Sequence, residues 1–244
     1  MVDIAPELYE QISLIFSRKM SAARNGAQKA LFNVVESGRP TYPQVQRYSR
    51  ISGQLLSESL LEVLTPDALP NGHLYYNIAQ KTLGHALEDE YGLVSDAALR
   101  AQQAVNDAAR IGIKPIKPEF NRNRADGLIE LLSEAEVITD ESWVLGEPVV
   151  NFSQNVVDES IKKNAEFQQQ AGLEVTVTRK YDGVGLHDRG TPCQWCLARA
   201  GSFSYDEAMS LGVFQRHEGC GCTIEYTSKK GVTTRSTSRR SGWS

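Results

Sequence analysis

All four cysteines of this 244-residue chain fall in one stretch of thirty positions, as Cys193-x-x-Cys196 and Cys220-x-Cys222, and the 192 residues before them contain none. His217 stands three positions ahead of Cys220. A two-residue gap lets both sulfurs of the first pair turn toward one point about 2.3 Å from each, and a distant second pair then completes a tetrahedron. His217 is either the fourth ligand or a hydrogen-bond donor to a site of four thiolates. This pattern predicts one structural zinc ion held by a set drawn from Cys193, Cys196, His217, Cys220 and Cys222. Two disulfides are the poorer reading. Residues 1–20 carry Asp3, Glu7 and Glu10 instead of a basic segment followed by an apolar one, so a reducing, cytoplasmic setting is expected, and bridges between such close neighbours brace little. A thioredoxin-like Cys-x-x-Cys follows a strand and opens a helix in a βαβ unit, and no such unit precedes Cys193.

Zinc can also catalyse. Pro192-Cys193-Gln194-Trp195-Cys196 is the Pro-Cys-x-x-Cys half of the nucleobase deaminase signature, but the His-x-Glu half is missing: Asp188-Arg189 follow His187, and Ala86-Leu87-Glu88 follow His85. Five candidate donors also leave no coordination position for an activated water. We therefore expect a closed site and no catalytic residue. The weaker alternative is a zinc-dependent nuclease or hydrolase using His187 and Asp188. His73 and His85 are expected to be ordinary helix or loop residues.

Ahead of the cysteines the chain reads as helical. Leu8, Ile12, Ile15, Phe16, Met20, Ala23, Ala27, Leu31 and Val34 recur at three- and four-residue steps, which predicts one long helix over 6–37 ending at Gly38. Pro40 and Pro43 frame a turn, and a second helix runs through Val45 to Val63 until Pro66. Further helices are predicted over 74–90, over 96–110 with Ser95 as N-cap and Gly112 as terminator, over 124–137, and over 153–170 closed by Gly172. Lys114-Pro115-Ile116-Lys117-Pro118 is a connector. The texture changes at Leu173, where Glu174-Val175-Thr176-Val177-Thr178-Arg179 alternates as a half-buried strand does. Ser204 and Glu207 form a capping box for a short helix over 205–211. Segments 222–226 and 232–234 are expected to pair as a hairpin turning at Lys229-Lys230-Gly231. Trp195, Phe203, Phe214 and Tyr226 are read as a miniature core, too small to fold without the ion.

The fold class expected is a mainly α N-terminal region plus a small α+β zinc-stapled C-terminal module. Its divisions are a helical domain over 1–172, the module over 173–227 and a basic flexible tail over 228–244. That tail carries Lys229, Lys230, Arg235, Arg239 and Arg240 with no Asp or Glu, on a chain whose formal net charge is -4. A basic end on an acidic body fits an anionic partner, nucleic acid or an acidic protein surface. No run approaches the ~20 apolar residues that span a bilayer, so no membrane association is expected, and no small-molecule substrate.

The segment from Asp188-Arg189-Gly190-Thr191-Pro192-Cys193-Gln194-Trp195-Cys196, through Gly201-Ser202-Phe203 and Asp206-Glu207-Ala208, to Phe214-Gln215-Arg216-His217-Glu218-Gly219-Cys220-Gly221-Cys222-Thr223-Ile224 resembles the C-terminal module of phage minor head proteins, the phage Mu F-like head morphogenesis family. The commonest form of that motif has Pro after the His and Asn before the first Cys of the later pair, where Glu218 and Gly219 stand here. The resemblance implies a minor capsid protein of a tailed bacteriophage, made in the bacterial host cytoplasm and present in the virion head. It further implies a portal or major capsid partner and contact with phage DNA. Only Cys193, Cys196, His217, Cys220 and Cys222 carry over from the family's motif, as metal ligands.

Overall fold

Gly26 interrupts the first apolar stripe. In the computed structural model, which describes residues 3–181, 193–217 and 219–230, helix α1 runs Ala5–Asn25 and α2 runs Lys29–Ser37. The single helix expected over 6–37 is thus two, because glycine has no Cβ to hold it in helical geometry and releases the chain there. The stop at Gly38 is as expected. Its N–H bonds the Val34 carbonyl, and a Cβ on Gly38 would lie 2.8 Å from that oxygen.

Helix α3, Tyr42–Val63, opens with a capping box between Thr41 and Gln44. Pro43 lies inside its first turn, where a missing N–H leaves no bond unmade, and does not frame a turn outside it. The two helices expected over 74–90 and 96–110 are continuous: α4 (Tyr76–Ala79) passes through a π turn (Gln80–Gly84) into α5 (His85–Ala108). Ser95 is consequently buried mid-helix, its hydroxyl donating to Gly92 O at 3.2 Å, and is no N-cap. Nor does Gly112 terminate the helix, since Arg110 already takes the left-handed conformation at φ 55. Helix α6 is Arg122–Glu134, capped by Asn121. Helix α7, Glu147–Gln170, starts before the expected Ser153 with Pro148 in its first turn, and Gly172 at φ 84 turns the chain out of it.

Helices α3, α5 and α7 pack against one another. Gly53 permits a close approach of α3 to α7, since a Cβ there would meet Ser153 Oγ at 2.8 Å and Val150 Cα at 3.0 Å. Between these helices Glu90 is fully buried. Ser52 donates to its Oε1 at 2.6 Å, while Oε2 has no partner among the described residues. Burial raises this carboxyl from its ordinary 4.5 to about 7, against the opposing hydrogen bond of Ser52. A folded-state value above the unfolded one means a stabilising contribution complete below about pH 4.5 and lost as pH rises through about 7. Glu90→Gln should remove that dependence. Urea titrations are expected to show the variant more stable than the parent at pH 8 by up to about 3 kcal/mol, with the gap closing by pH 4.5; a gap independent of pH would contradict the assignment.

The C-terminal region holds a three-stranded antiparallel sheet in the order β2-β1-β3, with β1 Leu173–Lys180, β2 Gly201–Ser204 and β3 Thr223–Lys230. Val177 faces Phe203 on one side and Tyr226 on the other. Two short helices accompany it, α8 (Gln194–Leu197) and α9 (Tyr205–Ser210), the latter opened by the expected Ser204–Glu207 capping box. The fold is therefore mainly helical with a small α+β region near its C-terminus.

Two details differ from the sequence reading. Strand β3 continues through Ser228, Lys229 and Lys230, paired with Val175, Glu174 and Leu173, so no turn forms at Lys229-Lys230 and residues 228–230 belong to the sheet, not to a tail. The second arm expected over 232–234 lies outside the described residues. The four aromatic side chains also keep no core of their own. Phe214 and Tyr226 join the helical core together with Val175, Val177 and Ile224, and Phe203 packs against it. Trp195 instead sits against the cysteines.

Candidate metal centre

Three backbone features converge at one end of the sheet. Strand β1 runs toward it and ends just beyond Arg179. Cys193 is the N-cap of α8 and Cys196 lies inside that helix, so one turn brings both sulfurs to the same side. After α9, left-handed conformations at Gly212 and Gly219 (φ 64 and 67) fold the chain so that Cys220 N–H bonds His217 O at 3.2 Å. Cys222 then lies immediately before β3.

All five candidate ligands gather here. Cys193 Sγ lies 3.4 Å and Cys196 Sγ 2.8 Å from His217 Nε2, and Cys196 Sγ is 3.8 Å from Cys220 Sγ. The ligand atoms of Cys193, Cys196 and His217 lie within 4.8 Å of one another, as do those of Cys196, Cys220 and Cys222. The four thiols are buried and unbridged. For comparison, a tetrahedron with bonds of about 2.3 Å to sulfur has S–S edges of about 3.8 Å. The cluster can hold a metal ion.

The electrostatics favour a negative sulfur at Cys220. Arg179 is 1 % exposed, the largest fully buried side chain in the described protein. Its Nη1 donates to Val213 O and Gln215 O, both at 2.6 Å, and its Nη2 points at Cys220 Sγ at 3.2 Å and Cys196 Sγ at 4.0 Å. Arg216 is fastened from behind by a two-point ion pair with buried Asp158 of α7, and its Nη1 donates to the carbonyls of Cys222 at 2.8 Å and Cys220 at 3.4 Å. Although burial opposes its charge, the Asp158 carboxylate holds Arg216 above its ordinary value. A hydrogen bond from Cys222, with help from Arg216 and Arg179, lowers Cys220, whereas its bond to Cys220 and burial raise Cys222. Burial pushes Cys196 up to about 11. A divalent cation is what lets several thiols ionise side by side.

Helix α3 joins this framework through Gln46, which donates to Asp158 Oδ1 at 3.1 Å and accepts from Ile224 N–H at 2.8 Å. Gln154 of α7 donates to Cys220 O at 3.3 Å. Trp195 lies under Arg199, whose guanidinium is 3.9 Å from the ring centre, and meets His217 edge-on at 5.2 Å. Chemically the arrangement is two trios of candidate metal ligands that share Cys196. Cys196, Cys220 and Cys222 are at most 1 % exposed.

His187 and Asp188 lie outside the described residues, as do Arg235, Arg239 and Arg240. Lys229 is exposed on β3, and the Lys230 backbone ends that strand. His73 and His85 stand apart from the cluster, His73 bonded to Ala135 O and His85 packed on Tyr9. Sequence reading missed Arg179, Arg216, Asp158, Gln46 and Gln154. For Arg179 a signal existed, since the alternation that places Val175 and Val177 inward places Arg179 inward too. No helix of the described residues is long and apolar enough to cross a membrane. No protein-family model, no curated protein and no solved structure matches the chain.

Proposed function

We propose that the protein is a minor head protein of a tailed bacteriophage, in which a structural zinc ion stiffens a C-terminal knob presented to the portal or the major capsid protein. The observation that carries this reading is the donor cage itself. Buried sulfurs, backed by Arg216 and Asp158 and tied to α3 and α7, suit an ion that fixes shape and does not turn over substrate. The resemblance of residues 188–224 to the head morphogenesis motif supplies the biological setting. Zinc is the favoured ion because buried thiolate and imidazole donors match its softness and tetrahedral preference. No enzymatic activity is proposed. The protein should co-sediment with phage heads or assembly intermediates, and its absence from both would overturn the assignment.

A DNA contact fits the same role. Lys229 is exposed beside Lys230 at the end of β3, and Arg235, Arg239 and Arg240 follow in sequence without an acidic residue. If these five cations neutralise phosphates, log binding constant should fall against log salt with a slope of about -4 to -5, and deletion of 231–244 should reduce that slope to about -2. An unchanged slope after the deletion would remove the tail from DNA contact.

A further inference from the structure

Where α6 and α7 meet α9 and the loop after it, a cleft of about 370 Å³ opens, and none of the five candidate metal ligands lines it. We infer that this cleft binds a carboxylate carried on an apolar group, with Arg124 as the cation that receives it. The inference does not depend on the metal reading.

Charge is the first reason. Arg124, Lys162 and Arg216 line the cleft. Two of them already have anions, since Arg216 is paired with Asp158, and Lys162 faces Glu159 at 3.7 Å. Arg124 is held in place through its backbone, whose N–H bonds the Asn121 side chain at 3.1 Å. Its guanidinium has no ion pair and no hydrogen bond among the described residues. The side chain is half-buried, and burial disfavours its charge more than the field of nearby Asp158 supports it. It also stands in the first turn of α6, where the helix dipole is positive and no acidic residue offsets it. A guanidinium in this position gains from an anion, and a carboxylate accepts two parallel N–H bonds from it.

The lining then limits which anion fits. One positive charge is left over, so a single negative charge balances it. A nucleic acid would carry further phosphates into the adjoining groove, which shares Glu159. There Lys163 is already paired with Glu119 and Arg122 with Glu88, so no unpaired cation awaits them. Trp195, Met209 and Phe214 supply an apolar wall to the cleft, which matches an apolar group beside the carboxylate. Two sources offer this chemistry, a small free acid and an acidic side chain flanked by apolar ones in a peptide segment.

The test uses the full chain and follows the Trp195 indole N–H by NMR, assigned with Trp195→Phe. The probes are 3-phenylpropionate, its neutral amide, inorganic phosphate and the blocked tripeptide acetyl-Phe-Glu-Phe-amide. The acid should shift the indole signal saturably, with Kd on the order of 1 mM, and the amide and phosphate should bind at least about tenfold more weakly. Arg124→Met should lower affinity for the acid at least about tenfold, and Arg124→Lys should keep part of it. Because Arg124 has no partner to lose, Arg124→Met should leave Tm unchanged within about 2 °C; a larger fall would make Arg124 a structural residue and overturn the inference. Met209→Glu, at an exposed position of the cleft wall, should weaken the acid by like-charge repulsion without disturbing Arg124. No indole shift with the acid in the parent, equal binding of acid and amide, tighter binding of phosphate, or unchanged affinity in both Arg124→Met and Met209→Glu overturns the carboxylate site. A tripeptide that binds at least about tenfold more tightly than 3-phenylpropionate upholds it with a peptide as the source, and one that binds no more tightly upholds it with a small acid.

Discussion

Removal of the ion by a strong chelator should loosen the C-terminal region while most of the helical signal persists. The sheet and its cysteine loops bring few apolar side chains of their own, chiefly Val175, Val177, Val213, Phe214, Ile224 and Tyr226, whereas the helices supply most of the common core. Structural zinc sites are worth about 10–16 kcal/mol of apparent binding free energy in small domains. Here part of the order is also secured by Arg216 and by packing on α3 and α7, so a loss of at least about 3 kcal/mol is expected. For a chain of this size that lowers Tm by roughly 6–12 °C. The change should be concentrated around Trp195, which loses its edge contact with His217, and protease cleavage should appear first within 193–230. Readdition of zinc should reverse both. A chelated protein with unaltered melting and cleavage would show that the ion braces nothing.

Asp158→Ala is expected to be the most damaging single substitution away from the cysteines. Asp158 is 1 % exposed and the Arg216 side chain 4 %, so the change strands a buried cation and also frees the Gln46 amide from its acceptor. Breaking one partner of such a pair costs about 3–5 kcal/mol, or roughly 6–20 °C in Tm. Arg216 also holds the carbonyls of Cys220 and Cys222, so metal affinity should fall with stability even though no ligand has been touched. The double variant Asp158→Ala/Arg216→Ala should be less destabilised than the sum of the two singles, because the stranded charge is gone. Simple additivity, measured by denaturant unfolding, would mean that the pair does not act as a unit.

The cysteine site was legible in sequence because its chemistry is local. Spacing within each pair determines whether two sulfurs can face one point, and Gly219 and the turn at His217 act over only a few residues. Its support was not legible, since Arg216 and Asp158 are 58 positions apart and Gln46 reaches Ile224 across 178, contacts that arise only once α3, α7 and β3 have packed. Helix boundaries failed where one residue type carries two meanings. Glycine ends α1 at Gly26 but is carried inside α5 at Gly92, which faces open space. Serine caps α9 at Ser204 but bonds back to its own helix at Ser95. At the hairpin, Lys229-Lys230-Gly231 has turn composition, yet pairing with β1 sets Lys229 opposite Glu174, a favourable cross-strand pair that extends the strand past the local signal.

Elemental analysis of the purified full-length chain, made together with a count of reactive thiols, bears most directly on the buried cage. One equivalent of zinc per chain is expected, with the thiols protected from alkylation until the ion is chelated. A metal-free protein whose cysteines are joined to one another, or all freely alkylated, would contradict it.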